Sequence, residues 1–101
     1  MASYHAWKIA NPNVPPLEAI DITPSDSADI ETTAPNGDTI IGVRRLRART
    51  AGTVRVTTAF GSTRDLEFAA GEMIDICVSR VHEAGTTVTV DSTGTGIEGY
   101  I

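Results

Sequence analysis

The 101 residues amount to one ordinary domain, too short for two independently folded units, and a core of this size leaves stability modest enough for neighbouring subunits to matter. The formal charge of -5 sits entirely in the first forty residues, where Glu18, Asp21, Asp26, Asp29, Glu31 and Asp38 face Lys8 alone. From residue 41 onward acids and arginines balance, and the single basic cluster, Arg44 to Arg49, lacks the broad positive face of a general nucleic-acid binder.

Residues 1–16 read as an extended N-terminal arm, followed by a single β domain over 17–101. The arm shows no periodicity, and Pro12, Pro15 and Pro16 block helix and strand pairing where they stand. Its apolar residues Tyr4, Trp7 and Ile9 are the candidates for anchoring the arm, either to another surface on assembly or folded back over its own core. Ala19 to Thr23 reads as a short strand stopped by Pro24, whose successors Ser25-Asp26-Ser27 carry side-chain oxygens able to close a turn. Asn36-Gly37 is a strong turn signal, and Thr39-Ile40-Ile41-Gly42-Val43 begins the next strand. Apolar residues stand at odd positions through Val43 and at even ones from Leu46, so the alternation slips at Arg44-Arg45 as a β-bulge requires.

Thr53–Thr57 and Arg64–Phe68 alternate on either side of Gly61-Ser62 and predict a hairpin. The next strand places Ile74, Ile76 and Val78 on one face and Asp75, Cys77 and Ser79 on the other. Val88-Thr89-Val90 and Ile97 to Ile101 predict two last strands. The sum is an all-β fold, a small antiparallel β-sandwich or barrel of seven to eight short strands, its core filled by Val, Ile and Leu with Phe60, Phe68 and Tyr100 at selected places.

Reactive constellations are scarce. One cysteine, Cys77, gives no intrachain disulfide, and His5 and His82 give no zinc-ligand spacing. Asp26 and Asp29 are acids in a Thr-Pro-Ser-Asp-Ser-Ala-Asp context, where short carboxylates close turns more readily than they perform acid–base work. His82 beside Glu83 reads as a surface turn residue. No catalytic, metal or cofactor residue is assigned, and the expectation is a non-enzymatic chain without a cofactor. No apolar run reaches the ~20 residues of a membrane span, and the opening MASYHAWKIANP has no signal-peptide pattern, which predicts synthesis in cytoplasm. The alternating arginines Arg45, Arg47 and Arg49 line one strand face. Two readings compete: phosphate binding, or a strip that pairs across a subunit interface with acids of the first forty residues such as Asp26 and Asp29. The net negative charge and the lack of interleaved stacking aromatics favour the interface and speak against nucleic acid.

Taken in order, Ile22-Thr23-Pro24-Ser25-Asp26 with a short acidic strand, the Arg-rich strand running into Gly52-Thr53-Val54, Gly61-Ser62 before Leu66-Glu67-Phe68, Ala70-Gly71-Glu72, Val78 to His82, and Gly85-Thr86-Thr87 resemble a known pattern. From Ala19 to the C-terminus the chain resembles the spike base protein family of gene transfer agents and related tailed bacteriophages. The resemblance implies a structural virion protein, made in the bacterial cytoplasm. It would sit on capsid vertices as a homo-oligomeric ring of five copies between the capsid protein and a spike or fibre protein. The Pro-rich arm and Gly94-Thr95-Gly96 depart from that pattern. A carbohydrate-binding module, a tail or head-completion protein and a small hydrolase are the competing classes. The first needs an aromatic platform that Tyr4, Trp7 and Tyr100 are too few and too terminal to build, and the last needs a pocket of convergent polar groups.

Overall fold

The computed structural model describes residues 3–9, 19–33, 37–90 and 96–101. Nine strands and one helical turn lie within them: β1 (Ser3–His5), α1 (Ala6–Ile9), β2 (Ala19–Asp21), β3 (Glu31–Thr33), β4 (Thr39–Ile41), β5 (Val43–Ala48), β6 (Gly52–Thr58), β7 (Thr63–Phe68), β8 (Met73–Val81) and β9 (Ile97–Tyr100). They form a three-stranded sheet in the order β1-β4-β3 and a six-stranded sheet in the order β2-β9-β5-β8-β6-β7. All pairings are antiparallel except β1 with β4. The fold is all-β, as the short alternating segments predict, and of the two expected forms, sandwich and barrel, it takes the one with two sheets.

The two sheets enclose one core. Val43, Leu46, Ala48, Val54, Val56, Val78 and Ile97 are fully buried from the larger sheet, and Ile40 of the smaller sheet joins the same cluster with Ala6 of α1 and Ile22 after β2. Burying each Val, Ile or Leu side chain contributes about 1.5–3 kcal/mol, so these branched aliphatics supply the bulk of the folding drive.

The strand expected to run unbroken from Thr39 through Val43 is divided at Gly42, which has φ of 79°. β4 ends in the smaller sheet and β5 begins in the larger one, so this residue carries the chain across the corner. A Cβ at Gly42 would stand 2.5 Å from the Val78 carbonyl oxygen and 2.7 Å from the Trp7 ring. The predicted slip at Arg44-Arg45 is present as a register shift in the β5–β8 pairing between Val43 and Arg45. β8 is shared: Met73 to Val78 pairs with β5 and Val78 to Val81 with β6, where a second shift falls between Thr57 and Thr58. The alternation predicted for Ile74, Ile76 and Val78 therefore ends at Ser79, and the next buried side chain is Val81.

Three expectations need correction. Ser3–His5 pairs with Thr39–Ile41 and Ala6–Ile9 makes a helical turn, although the arm is read from sequence as lacking regular structure. The reason is that its prolines begin only at Pro12, leaving residues 3–9 free to use their backbone donors. Residues 10–18 lie outside the described part. Val88-Thr89-Val90 forms no strand; the Thr87 N–H donates to the Thr53 carbonyl at 2.7 Å, and the Thr89 N–H donates to Thr50 Oγ1 at 3.2 Å, so a hydroxyl stands where a strand would offer a carbonyl. Phe60 is not in the core but fully exposed, because the turn closed by the Gly61 N–H on the Thr58 carbonyl leaves it at the hairpin tip.

Gly42→Ala should destabilise the protein by more than about 2 kcal/mol, since a left-handed φ alone costs about 1–2 kcal/mol and here a backbone clash adds to it. Gly61→Ala, at φ of 84° with nothing within 4 Å, should cost only about 1 kcal/mol. Urea denaturation of both variants beside the parent checks the contrast.

Candidate functional site

The outer face of the larger sheet gathers the arginines singled out from sequence. Antiparallel register sets Arg47 between Glu98 on β9 and Met73 on β8, and Arg45 between Tyr100 and Asp75. Arg45 Nε reaches Asp75 Oδ1 at 2.8 Å. Arg47 Nη1 and Arg49 Nε both reach Glu98 Oε1, at 3.1 and 2.9 Å, while the Tyr100 hydroxyl donates to Glu98 Oε2 at 3.1 Å. The Glu98 side chain keeps only 15% of its surface exposed beneath the two guanidinium groups. The Arg49 hydrogen bond, helped by Tyr100 and Arg47, holds the Glu98 carboxyl below its ordinary value against the opposing effect of burial. Burial first, and then the neighbouring Glu98, push the Tyr100 hydroxyl up.

Asp26 and Asp29, expected opposite those arginines across an interface, are held by their own chain. Asp26 Oδ1 accepts the N–H groups of Glu83 and Ala84, each at 3.0 Å, and Asp29 Oδ1 pairs with Arg80 at 2.9 Å. Ser25 Oγ accepts from the Ser27 and Ala28 N–H groups, the turn chemistry that the sequence predicts. Trp7 packs on its own chain as well, its ring over Gly42 and stacked on His5 with centroids 4.7 Å apart. The side chains of Tyr4 and Ile9 lie outside the described residues.

One arrangement escaped the sequence reading. His82 is half-buried, not a surface turn residue: its Nε2 lies 2.8 Å from Thr57 Oγ1 and its Nδ1 3.7 Å from Asp26 Oδ1. Hydroxyl, imidazole and carboxylate thus follow one another as in a nucleophilic triad. The geometry falls short of one. The imidazole–carboxylate distance exceeds a hydrogen bond, and the Asp26 oxygen already accepts two backbone donors. The arrangement is a brace between β6, the end of β8 and the Asp26 turn, and the 25 and 56 residues separating its members hide it from any local motif. Cys77 is partly buried, and that burial raises its thiol above the ordinary value, which leaves it a weak nucleophile at neutral pH. No group of three or more potential metal ligands occurs among the described residues.

With this geometry in hand, comparison with known proteins gives one informative result. No protein-family model and no curated protein matches the chain. Among solved structures, the chain is similar to one in the capsid of a native GTA (gene transfer agent) particle computed with C5 symmetry. The two share 28% sequence identity with a TM-score of 0.66, over 91% of this chain and 90% of that one. Near-complete coverage of both chains makes this a likeness of whole domains, and it agrees with the family resemblance read from sequence at the level of a gene transfer agent particle.

Glu98→Gln should cost about 1.5–3 kcal/mol at neutral pH, the range for hydrogen bonds to charged groups. Because the folded-state carboxyl is held below its unfolded value, its contribution is fully present above about pH 4.5 and disappears as pH falls through the folded value. Stability profiles of parent and variant should therefore converge in acid, as chemical denaturation between pH 3 and 7 would show.

Proposed function

We propose that this chain is a structural component of a gene-transfer-agent or phage-type particle, and specifically the ring-like base that joins a capsid vertex to a spike or fibre. One observation carries the reading: a likeness at 28% identity, spanning nine-tenths of both chains, to a chain from a GTA capsid. The five-fold ring is what the family resemblance implies, a closed cyclic arrangement built from one repeated head-to-tail contact. On this reading the chain functions by assembling, not by turning over a substrate. Its partners are further copies of itself, a capsid protein and a spike or fibre protein, and it resides on the particle surface.

The residues expected at contacts enter the proposal unequally. Arg47 and Arg49 both engage Glu98, and with Arg45 on Asp75 they form the charged face we assign to a neighbouring protein. Asp26 and Asp29 are engaged at home and would contribute through the turn they hold in place. Tyr4, Trp7 and Ile9 belong to the anchoring arm, with Trp7 securing its root on Gly42. A sugar-binding reading gains no support, because Trp7 is turned onto its own backbone and Tyr100 is tied to Glu98.

Purified particles should contain the chain, and electron microscopy should place it in rings at five-fold vertices. Removing its gene should yield filled capsids that lack spikes. Particles devoid of the chain, or spikes unaffected by its loss, would overturn the proposal. Arg47→Glu should reduce incorporation more than Arg47→Ala, since reversal adds repulsion to the lost attraction; quantitative gel analysis of particles reads the difference.

A further inference from the structure

Two features beside the edge strands β7 and β2 of the larger sheet carry opposite charges. At the β7 edge, the hairpin tip holds Phe60 fully exposed, and four residues on stands Arg64. The other described arginines are engaged in ion pairs or other polar interactions, whereas Arg64 has no such partner among the described residues. Both residues border the same shallow depression over Ile76 and Cys77, so the ring and the guanidinium form one surface.

At the β2 edge lies a pocket of about 240 Å³ lined by Ile20, Ile22 and Ile30 and bordered by the acids Asp21, Asp29 and Glu31. Asp29 is taken by Arg80. Asp21 and Glu31 are exposed and have no ion-pair partner among the described residues. Isoleucine side chains beside a row of carboxylates offer an exposed aromatic ring and a free arginine a partner each. Phe60 and Arg64 do not line this pocket, which β2 and the Asp29 to Glu31 segment form.

We propose that Phe60 and Arg64 of one copy dock into the Ile20, Ile22 and Ile30 pocket of a second copy, with Arg64 paired to Asp21 or Glu31. The inference rests on the reading of the chain as an assembling particle component and names the surface through which copies join. Because knob and pocket differ and lie on opposite edges, the contact is heterologous, and repetition about a rotation axis closes a ring. The uncompensated charges set orientation, and the apolar contact excludes water around them.

The test is light-scattering mass of the full chain across a concentration series, alone and in 0.5 M salt, with circular dichroism confirming the fold of each variant. Phe60→Ser removes a fully exposed ring and should leave folding intact while raising the concentration needed for assembly at least tenfold. Arg64→Glu and Asp21→Arg should each do the same, and the two combined in one chain should recover at least part of the loss. Added salt should weaken assembly of the parent. A parent that stays monomeric at every concentration, or variants that assemble like the parent, would overturn the proposal. Particle incorporation separates this from the broader reading. Normal incorporation with assembly indifferent to Phe60 sinks the interface and leaves the particle role. Absence from particles with Phe60-dependent rings sinks the role and leaves the interface. Phe60→Ser rings that form normally but fail to join particles would assign the tip to a capsid or spike protein and overturn self-docking.

Discussion

Between Ile41 and Val43 the backbone has to leave one sheet and enter another within a single residue, and the whole arrangement depends on how that is done. Gly42 accomplishes it with a left-handed φ and with no room for a side chain between the Val78 carbonyl and the Trp7 ring. Its N–H donates to the Ile30 carbonyl at 2.8 Å, and the Ile30 N–H donates in turn to the Ser79 carbonyl at 2.9 Å. The corner thereby ties the acidic loop before β3 to the bent part of β8, while Trp7 brings the arm over the same point. Gly99 performs a related task inside the core, where an added Cβ would stand 2.5 Å from Val43 Cγ1 and 2.6 Å from Ile22 Cδ1. Close approach of backbones at these two glycines lets short strands with small branched residues pack to interior density in a chain of this size.

Electrostatics follows from the register that this packing fixes. Exposed pairs such as Arg45 with Asp75 are worth about 0–1 kcal/mol and matter chiefly for alignment. Glu98 differs because it is largely covered, and two guanidinium groups and a phenol satisfy its oxygens. Most charge on the broad face is accordingly satisfied within the chain. Among the charges without an ion-pair partner, Arg64 lies by the hairpin tip and Asp21 and Glu31 by the short β2 edge.

What sequence disclosed and what it hid divide along a physical line. The β6–β7 hairpin, the slip at Arg44-Arg45, the Ser25 turn and the β9 strand are local: each depends on alternation or on a side-chain oxygen a few residues from its donor, and each is legible. The split of the predicted Thr39–Val43 strand at Gly42 was not, because a glycine in a β-branched run marks a weak point without saying which sheet follows. The pairing of Arg47 and Arg49 with Glu98 spans about fifty positions, and the overall charge imbalance pointed instead to Asp26 and Asp29. Those two acids read as local turn closers, but Ser25 closes the turn, and their carboxylates engage β8 and the loop after it more than fifty residues away. Likewise, composition marks Phe60 as a core residue, and only the tertiary placement of its turn exposes it.

The open sheet edges explain why this exposure is tolerable. A strand at a sheet edge invites pairing with any other strand, and proteins counter this with short strands and charged side chains. β2 spans three residues, and β7 carries Arg64, Asp65 and Glu67 among largely exposed positions. Backbone-to-backbone addition at either edge is thus unfavourable for an arbitrary chain. Phe60, by contrast, sits beyond the paired residues of the hairpin, where it can be buried without extending the sheet. Only a surface offering both an apolar hollow and a carboxylate can bury the ring and satisfy Arg64 together. A partner with the hollow alone leaves the guanidinium desolvated and uncompensated, and one with the carboxylate alone leaves the ring in water. On the proposed docking, this joint demand on shape and charge would favour a second copy over a surface that meets only one of the two requirements.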